Sequence, residues 1–254
     1  MKKILAILLV LSMMFAVVAC NLDATPSGGN GGNNDGNSGE TDDGNTFDPA
    51  AKSEGVMTYA EYDAAELDAE VVIEAYVQAT QSWWQGKITV YLQDPDGAYF
   101  VYELACSEED AAKLTKGTKI KVTGYKAEWS GEIEIVDGTF EFVESETWVA
   151  EATDVTDLLA SEDLIKHQNK FVSIKDMTVV SIEYKTGEPG DDIYVTLSKG
   201  EAEYSFCVEK YLTGPDTAVY TAVGALVAGD VIDVEGFLYW YDTVNTHITS
   251  VTKK

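Results

Sequence analysis

From residue 58 onward, apolar and polar positions alternate with period two in two successive sets of five segments. The first set is 71–77, 87–93, 98–104, 118–125 and 132–143; the second is 171–179, 192–197, 203–208, 231–239 and 247–251. A two-residue period places alternate side chains on opposite faces, so each segment predicts a strand buried on one side. Helical spacing breaks in at matching points of both sets. Thr58 and Glu61 have capping-box spacing ahead of a helix over 59–67, and Ser107 and Asp110 have the same spacing at the start of a short helix between the third and fourth strands. In the second set Val155, Leu158 and Leu159 share one helical face before the first strand. Val219, Val223 and Leu226 share another within 214–228.

The two sets are copies. Gly117-Thr-Lys-Ile-Lys-Val-Thr-Gly124 matches Gly229-Asp-Val-Ile-Asp-Val-Glu-Gly236, and Ile88-Thr-Val-Tyr-Leu92 matches Ile193-Tyr-Val-Thr-Leu197. The order strand-strand-strand-helix-strand-strand, met twice, predicts a mainly β chain of two tandem five-stranded OB-type barrels. Each carries a leading helix and a short helix between its third and fourth strands, over 56–147 and 148–254. The glycine-flanked fourth strand, Gly117 to Gly124, and the Tyr91-Leu-Gln-Asp94…Gly97-Ala-Tyr-Phe100 hairpin resemble OB-fold modules of bacterial surface lipoproteins and exported nucleases. The resemblance implies architecture and brings no catalytic residue with it.

Alternation directs Ile120 and Val122 inward in the first copy, and Ile232 and Val234 in the second. The outward residues of these strands do not match, so two copies of one ligand site are not expected. OB folds bind on the outer face of strands two and three and on the loops joining strands 1–2 and 4–5. In the first copy that surface gathers Thr89, Tyr91 and Gln93 from strand two and Tyr99 and Val101 from strand three. Trp83 and Trp84 flank it from one loop and Trp129 from the other. Exposed aromatics there stack on sugar rings, bases or partner side chains; buried, they would pack between the barrels. Tyr239, Trp240 and Tyr241 form a similar cluster in the second copy, where packing is the expectation.

The N-terminus adds an address. Lys2 and Lys3, the apolar run Ile4 to Val18 and a small residue before Cys20 have the layout of a signal peptide over 1–19. Val17-Val18-Ala19-Cys20 resembles the lipobox of bacterial lipoproteins. That resemblance implies cleavage before Cys20 and lipid on its thiol and on the new amino terminus, hence an anchor on the extracytoplasmic face of the cell membrane. Residues 20–55, rich in Gly, Asn, Asp and Ser, read as a disordered acidic linker.

Charge narrows the partners. The chain has 17 basic residues, all lysine, against 44 acids, for a formal charge of −27. Without arginine and with this excess of acid, nucleic acid is disfavoured as a partner, and a protein or a neutral glycan is the expected ligand. Lys113, Lys116, Lys119, Lys121 and Lys126 form the one candidate basic groove. Beyond Cys20 only Cys106 and Cys207 remain, which read as two buried free thiols. His167 and His247 have no cysteine or acid at ligand spacing, and no nucleophile elbow or phosphate loop is present. Glu188, Asp191 and Asp192 read as a solvated acidic loop in preference to a calcium site. No catalytic residue, metal ligand or cofactor is therefore assigned. The expected function is a membrane-tethered, non-catalytic binding module; its alternatives are extracellular single-strand nucleic-acid binding and a metal-dependent hydrolase.

Overall fold

The structure is a computed structural model that describes residues 47–254. The expected signal peptide, the expected lipid attachment at Cys20 and the expected linker up to residue 46 lie outside the described residues.

In the first copy the strands are β1 (Glu70–Thr80), β2 (Lys87–Gln93), β3 (Ala98–Ala105), β4 (Lys119–Trp129) and β5 (Glu132–Phe142). They close into a barrel in the order β1-β2-β3-β5-β4, with β4 pairing back onto β1. Only β3 and β5 run parallel, with Phe100 opposite Glu134. Val71, Ile73, Val90, Leu92, Ile120, Val122 and Ile135 point inward and are fully or almost fully buried. The period-two pattern supplies this core, as half-buried strands require.

Helix α1 (Tyr59–Ala64) starts at a complete capping box between Thr58 and Glu61. It stops three residues before the expected end. Lys126 Nζ on β4 donates to the carbonyls of Tyr62, Asp63 and Ala65 at 3.1, 2.8 and 2.9 Å, taking up the unpaired acceptors of the last turn. Helix α2 (Glu108–Ala111) is capped by Ser107 and links β3 to β4. The barrel also recruits chain from before residue 56. Lys52 Nζ lies 2.5 Å from Asp94 Oδ2, and Lys119 Nζ donates to the Ala51 carbonyl at 2.6 Å.

The second copy repeats the topology. Strands β7 (Phe171–Tyr184), β8 (Ile193–Lys199) and β9 (Ala202–Val208) precede helix α3 (Ala218–Gly224). Then come β10 (Val231–Phe237), the short pair β11 (Trp240–Tyr241) and β12 (Thr243–Val244), and β13 (His247–Lys253). The ladder runs β7-β8-β9-β13-β10 and returns to β7, with β6 (Thr153–Asp154) added to β7. As in the first barrel, the third and last strands meet in parallel, here at Cys207 and His247. The expected leading helix is replaced by two short 3-10 segments, Thr156–Leu158 and Glu162–His167. The Val155 amide is committed to the Ser173 carbonyl at 3.0 Å, so the chain enters this region as a strand.

The barrels meet along an aromatic seam. Tyr91 and Phe100 from the first barrel pack with Phe237 and Tyr239 from the second, and Tyr91 stacks on Phe237 at 4.5 Å between centroids. Polar ties close it: the Phe171 amide donates to Gln93 Oε1 at 2.8 Å, and Asn169 Nδ2 to the Ile133 carbonyl at 3.0 Å. Glu132 is fully buried here. Its Oε2 accepts from the Trp240 amide at 2.9 Å and from Gln168 Nε2 at 3.2 Å.

Candidate functional site: an aromatic cleft between the barrels

Two tight hairpins place the two most exposed tryptophans. In Trp84-Gln85-Gly86-Lys87 the central residues have φ of 48° and 85°, and Trp84 and Lys87 exchange both backbone hydrogen bonds. In Trp129-Ser130-Gly131-Glu132 the central φ values are 50° and 88°. Two successive positive φ values define the two-residue hairpin whose twist matches the strands, and they explain a glycine in second place. Each tryptophan opens its turn and stands clear of the barrel. Trp84 is 71% exposed and Trp129 is 53% exposed. The hairpins are the 1–2 and 4–5 connections of the first barrel.

Between these hairpins and the second barrel lies a cleft of about 1340 Å³. Tyr102 joins the tryptophans from the first barrel, and Tyr211, Tyr239 and Tyr241 face them from the second. Trp129 and Tyr241 lie 5.2 Å apart between centroids, bridging the two sides. The interior is polar as well. Glu103, Glu134, Asp192 and Glu209 line it, together with Asn245 and His247. Glu103 is bound to Lys87 at 2.6 Å and Asp192 to Lys185 at 2.8 Å, so neither lysine of the cleft is free. Glu209 Oε2 accepts from the Leu212 amide at 2.8 Å. Burial lifts the Glu134 carboxyl to about 7 and raises that of Glu209. Burial also holds the His247 imidazole down at about 4, hence neutral.

The residues expected to form a site divide into three groups. Trp84, Thr89 and Trp129 line the cleft. Trp83 is half-buried against the first core, its indole Nε1 donating to the Cys106 carbonyl at 2.8 Å; Tyr91 and Gln93 belong to the seam. Tyr99 and Val101 are corrected: both are fully buried and point into the barrel, Tyr99 against Tyr59 and Tyr62. The outward residues of β3 are Phe100 and Tyr102, one position along. Tyr102, Tyr211 and Glu134 were absent from the sequence reading, and of the Tyr239-Trp240-Tyr241 cluster only Trp240 packs mainly on the second core.

Other expectations resolve through pairing. The lysine cluster forms no groove. Lys119 and Lys126 are buried, Lys113 pairs with Glu109 and Asp110, Lys121 pairs with Glu141, and Lys116 lies over Phe171. Asp191 and Asp192 are held by Lys210 and Lys185. Cys106 and Cys207 are free and buried.

This architecture is a tandem OB-type module with a ligand-sized cleft between its barrels. No family model and no curated protein matches the chain. Solved structures similar to it include a murine DNA binding protein bound with double-stranded DNA, at 13% identity and TM-score 0.37, covering 72% of this chain and 96% of that one. An Ifi202 HINa domain in complex with 20-base-pair double-stranded DNA gives 11% and 0.34, over 73% and 98%. A replication protein A heterotrimer bound to single-stranded DNA gives 13% and 0.31, over 78% and 52%. At these scores the likeness names no ligand for this chain, and the OB assignment rests on its own strand order. The expectation that nucleic acid is disfavoured as a partner is not kept: DNA-bound chains stand among these similar structures.

Proposed function

We propose that this chain is a non-catalytic binding module, anchored through a lipidated Cys20 on the extracytoplasmic side of a membrane, that holds an oligomer of ring-bearing units in the inter-barrel cleft. The observation that carries the reading is the pair of exposed indoles, Trp84 and Trp129, on matching hairpin tips beside a cleft rimmed by tyrosines. Aromatic platforms on this face of an OB barrel suit oligonucleotides and oligosaccharides. Single-stranded nucleic acid is our first reading, with bases turned inward onto the rings and phosphates outward to solvent. A neutral oligosaccharide is the second, favoured by the carboxylates and amide that line the cleft and can bond sugar hydroxyls.

Tryptophan-fluorescence titration of the signal-free chain carrying Cys20→Ser tests both, with a mixed-sequence single-stranded oligonucleotide in one arm and neutral oligosaccharides in the other. The lysines of the cleft are already paired, so oligonucleotide binding should weaken only shallowly with salt. No response in either arm would overturn the stacking function. The anchor is tested separately: labelled fatty acid should enter the full chain in a bacterial host and be lost with Cys20→Ser.

A further inference from the structure

Four carboxylates line the cleft, and three of them are committed to protein partners: Glu103 to Lys87, Asp192 to Lys185 and Glu209 to the Leu212 amide. Glu134 is different. Its residue is 8% exposed and lines the cleft, yet among the described residues it has neither a hydrogen-bond nor an ion-pair partner. Its carboxyl opens only to the cleft and lacks a protein partner, and this partial burial alone accounts for the upward displacement of its proton affinity. Groups kept in that condition beside a cavity mark functional positions.

The backbone aims it. Glu134 sits on β5 opposite Phe100 of β3 and Ala127 of β4, while Glu132, two residues earlier, faces Trp129. Two residues of strand carry the chain about 7 Å. A base stacked on the Trp129 indole would therefore bring its polar edge towards the Glu134 carboxyl.

Resting on the single-strand reading above, we propose that Glu134 is the specificity-determining residue of the cleft: its carboxylate accepts a hydrogen bond from the exocyclic amino group of a base stacked on Trp129. A glutamate accepts from the cytosine N4 amino group, whereas thymine presents an oxygen at that position and meets the carboxylate acceptor to acceptor. A cytosine strand is therefore held in preference to a thymine strand.

The test is a pair of titrations of the signal-free Cys20→Ser chain with oligo-dC and oligo-dT of one length at pH 8.5, where the carboxylate form prevails. The chain should bind oligo-dC roughly tenfold more tightly than oligo-dT, the discrimination of one good charged hydrogen bond. Glu134→Met, which removes both the acceptor for cytosine and the repulsion of the thymine oxygen, should bring the two affinities within about twofold, by weakening oligo-dC binding and strengthening oligo-dT binding. Glu134→Gln, a smaller change to the fold, should keep part of the preference because its amide oxygen still accepts. Equal affinity of the unmodified chain for both strands overturns the assignment and leaves stacking intact. A preference that survives in Glu134→Met overturns it as well. Failure of both oligonucleotides to bind overturns the single-strand reading itself.

Discussion

Tyr91 Oη of the first barrel lies 2.7 Å from His247 Nδ1 of the second, and both side chains are buried. Tyr239 stacks on the same imidazole at 4.2 Å between centroids, and Gln81 Nε2 donates to the tyrosine oxygen at 3.3 Å. This link joins strand two of one barrel to the last strand of the other at the floor of the cleft. Tyr91→Phe keeps the ring and strands a polar nitrogen, so it should cost about 1–3 kcal/mol. For a chain of this size that lowers the melting temperature by roughly 2–10 °C. A thermal melt in which Tyr91→Phe and the unmodified chain coincide would show that the bond adds nothing to the seam.

Trp84 and Trp129 separate binding from folding because they touch ligand space more than core. Each alanine variant should lose about 1–3 kcal/mol of ligand affinity, the usual worth of a stacked ring. Stability should stay within about 0.5 kcal/mol, as for exposed positions elsewhere. Trp83→Ala should do the reverse: it removes ring packing and a hydrogen bond to the Cys106 carbonyl, and should cost about 3 kcal/mol of stability. Paired titrations and denaturant curves on the three variants check the split, and a stability loss in Trp84→Ala as large as that in Trp83→Ala would contradict it.

Glu132 makes the seam pH-dependent. Burial, only partly offset by its hydrogen bonds, lifts its carboxyl from 4.5 to about 8. The folded state therefore binds this proton more tightly than the unfolded state, and its contribution, complete below 4.5, is lost as pH rises towards 8. His247, held down at about 4 by burial, acts in the opposite direction: its contribution grows between 4 and 6.5 and is complete above that. Between pH 6.5 and 8 the glutamate dominates, with a slope on the order of 1 kcal/mol per pH unit. The melting temperature should fall by roughly 5 °C across that window. Glu132→Gln, which imitates the protonated group, should flatten the slope. An equally steep fall in the variant would assign the effect to another group.

The sequence carried the barrels further than the cleft, and the residues show why. Core strands announce themselves by period: Ile120, Val122, Ile232 and Val234 alternate with polar neighbours and turn inward as read. The duplicated glycine-flanked strand and the Thr58 capping box are local signals of the same kind. On β3 the signal fails, because Tyr99, Phe100, Val101 and Tyr102 are apolar at both parities. Burial of Tyr99 against Tyr59 and Tyr62 decides the face, and that is a tertiary fact. Tyr91 and Gln93 were placed on the outer face correctly, yet that face is covered by the other barrel. No local pattern encodes which surface a neighbouring domain will occupy. The hairpin tips were legible in principle, since Trp84-Gln85-Gly86 and Trp129-Ser130-Gly131 repeat one aromatic-polar-glycine spacing. Charge read along the chain misled as well, because burial of Lys119 and Lys126 and pairing of Lys113 and Lys121 leave no basic groove where the sequence clusters its lysines.

Lys126 makes that last point testable. It is buried over the Tyr62 ring, and its ammonium donates to three carbonyls at the end of α1. A groove lysine would lose affinity and salt dependence on neutralisation, by one unit of slope for one phosphate contact. The geometry requires a different outcome. Lys126→Met preserves the apolar stem and removes the donors, leaving the final turn of α1 without its partners. The cost should be about 2 kcal/mol, and the helix amides that those carbonyls order should exchange faster with solvent. Oligonucleotide affinity per folded molecule, and its salt slope, should not change. Hydrogen exchange on α1 beside a salt-dependent titration checks both halves. Loss of affinity with undisturbed α1 protection would return Lys126 to the binding surface.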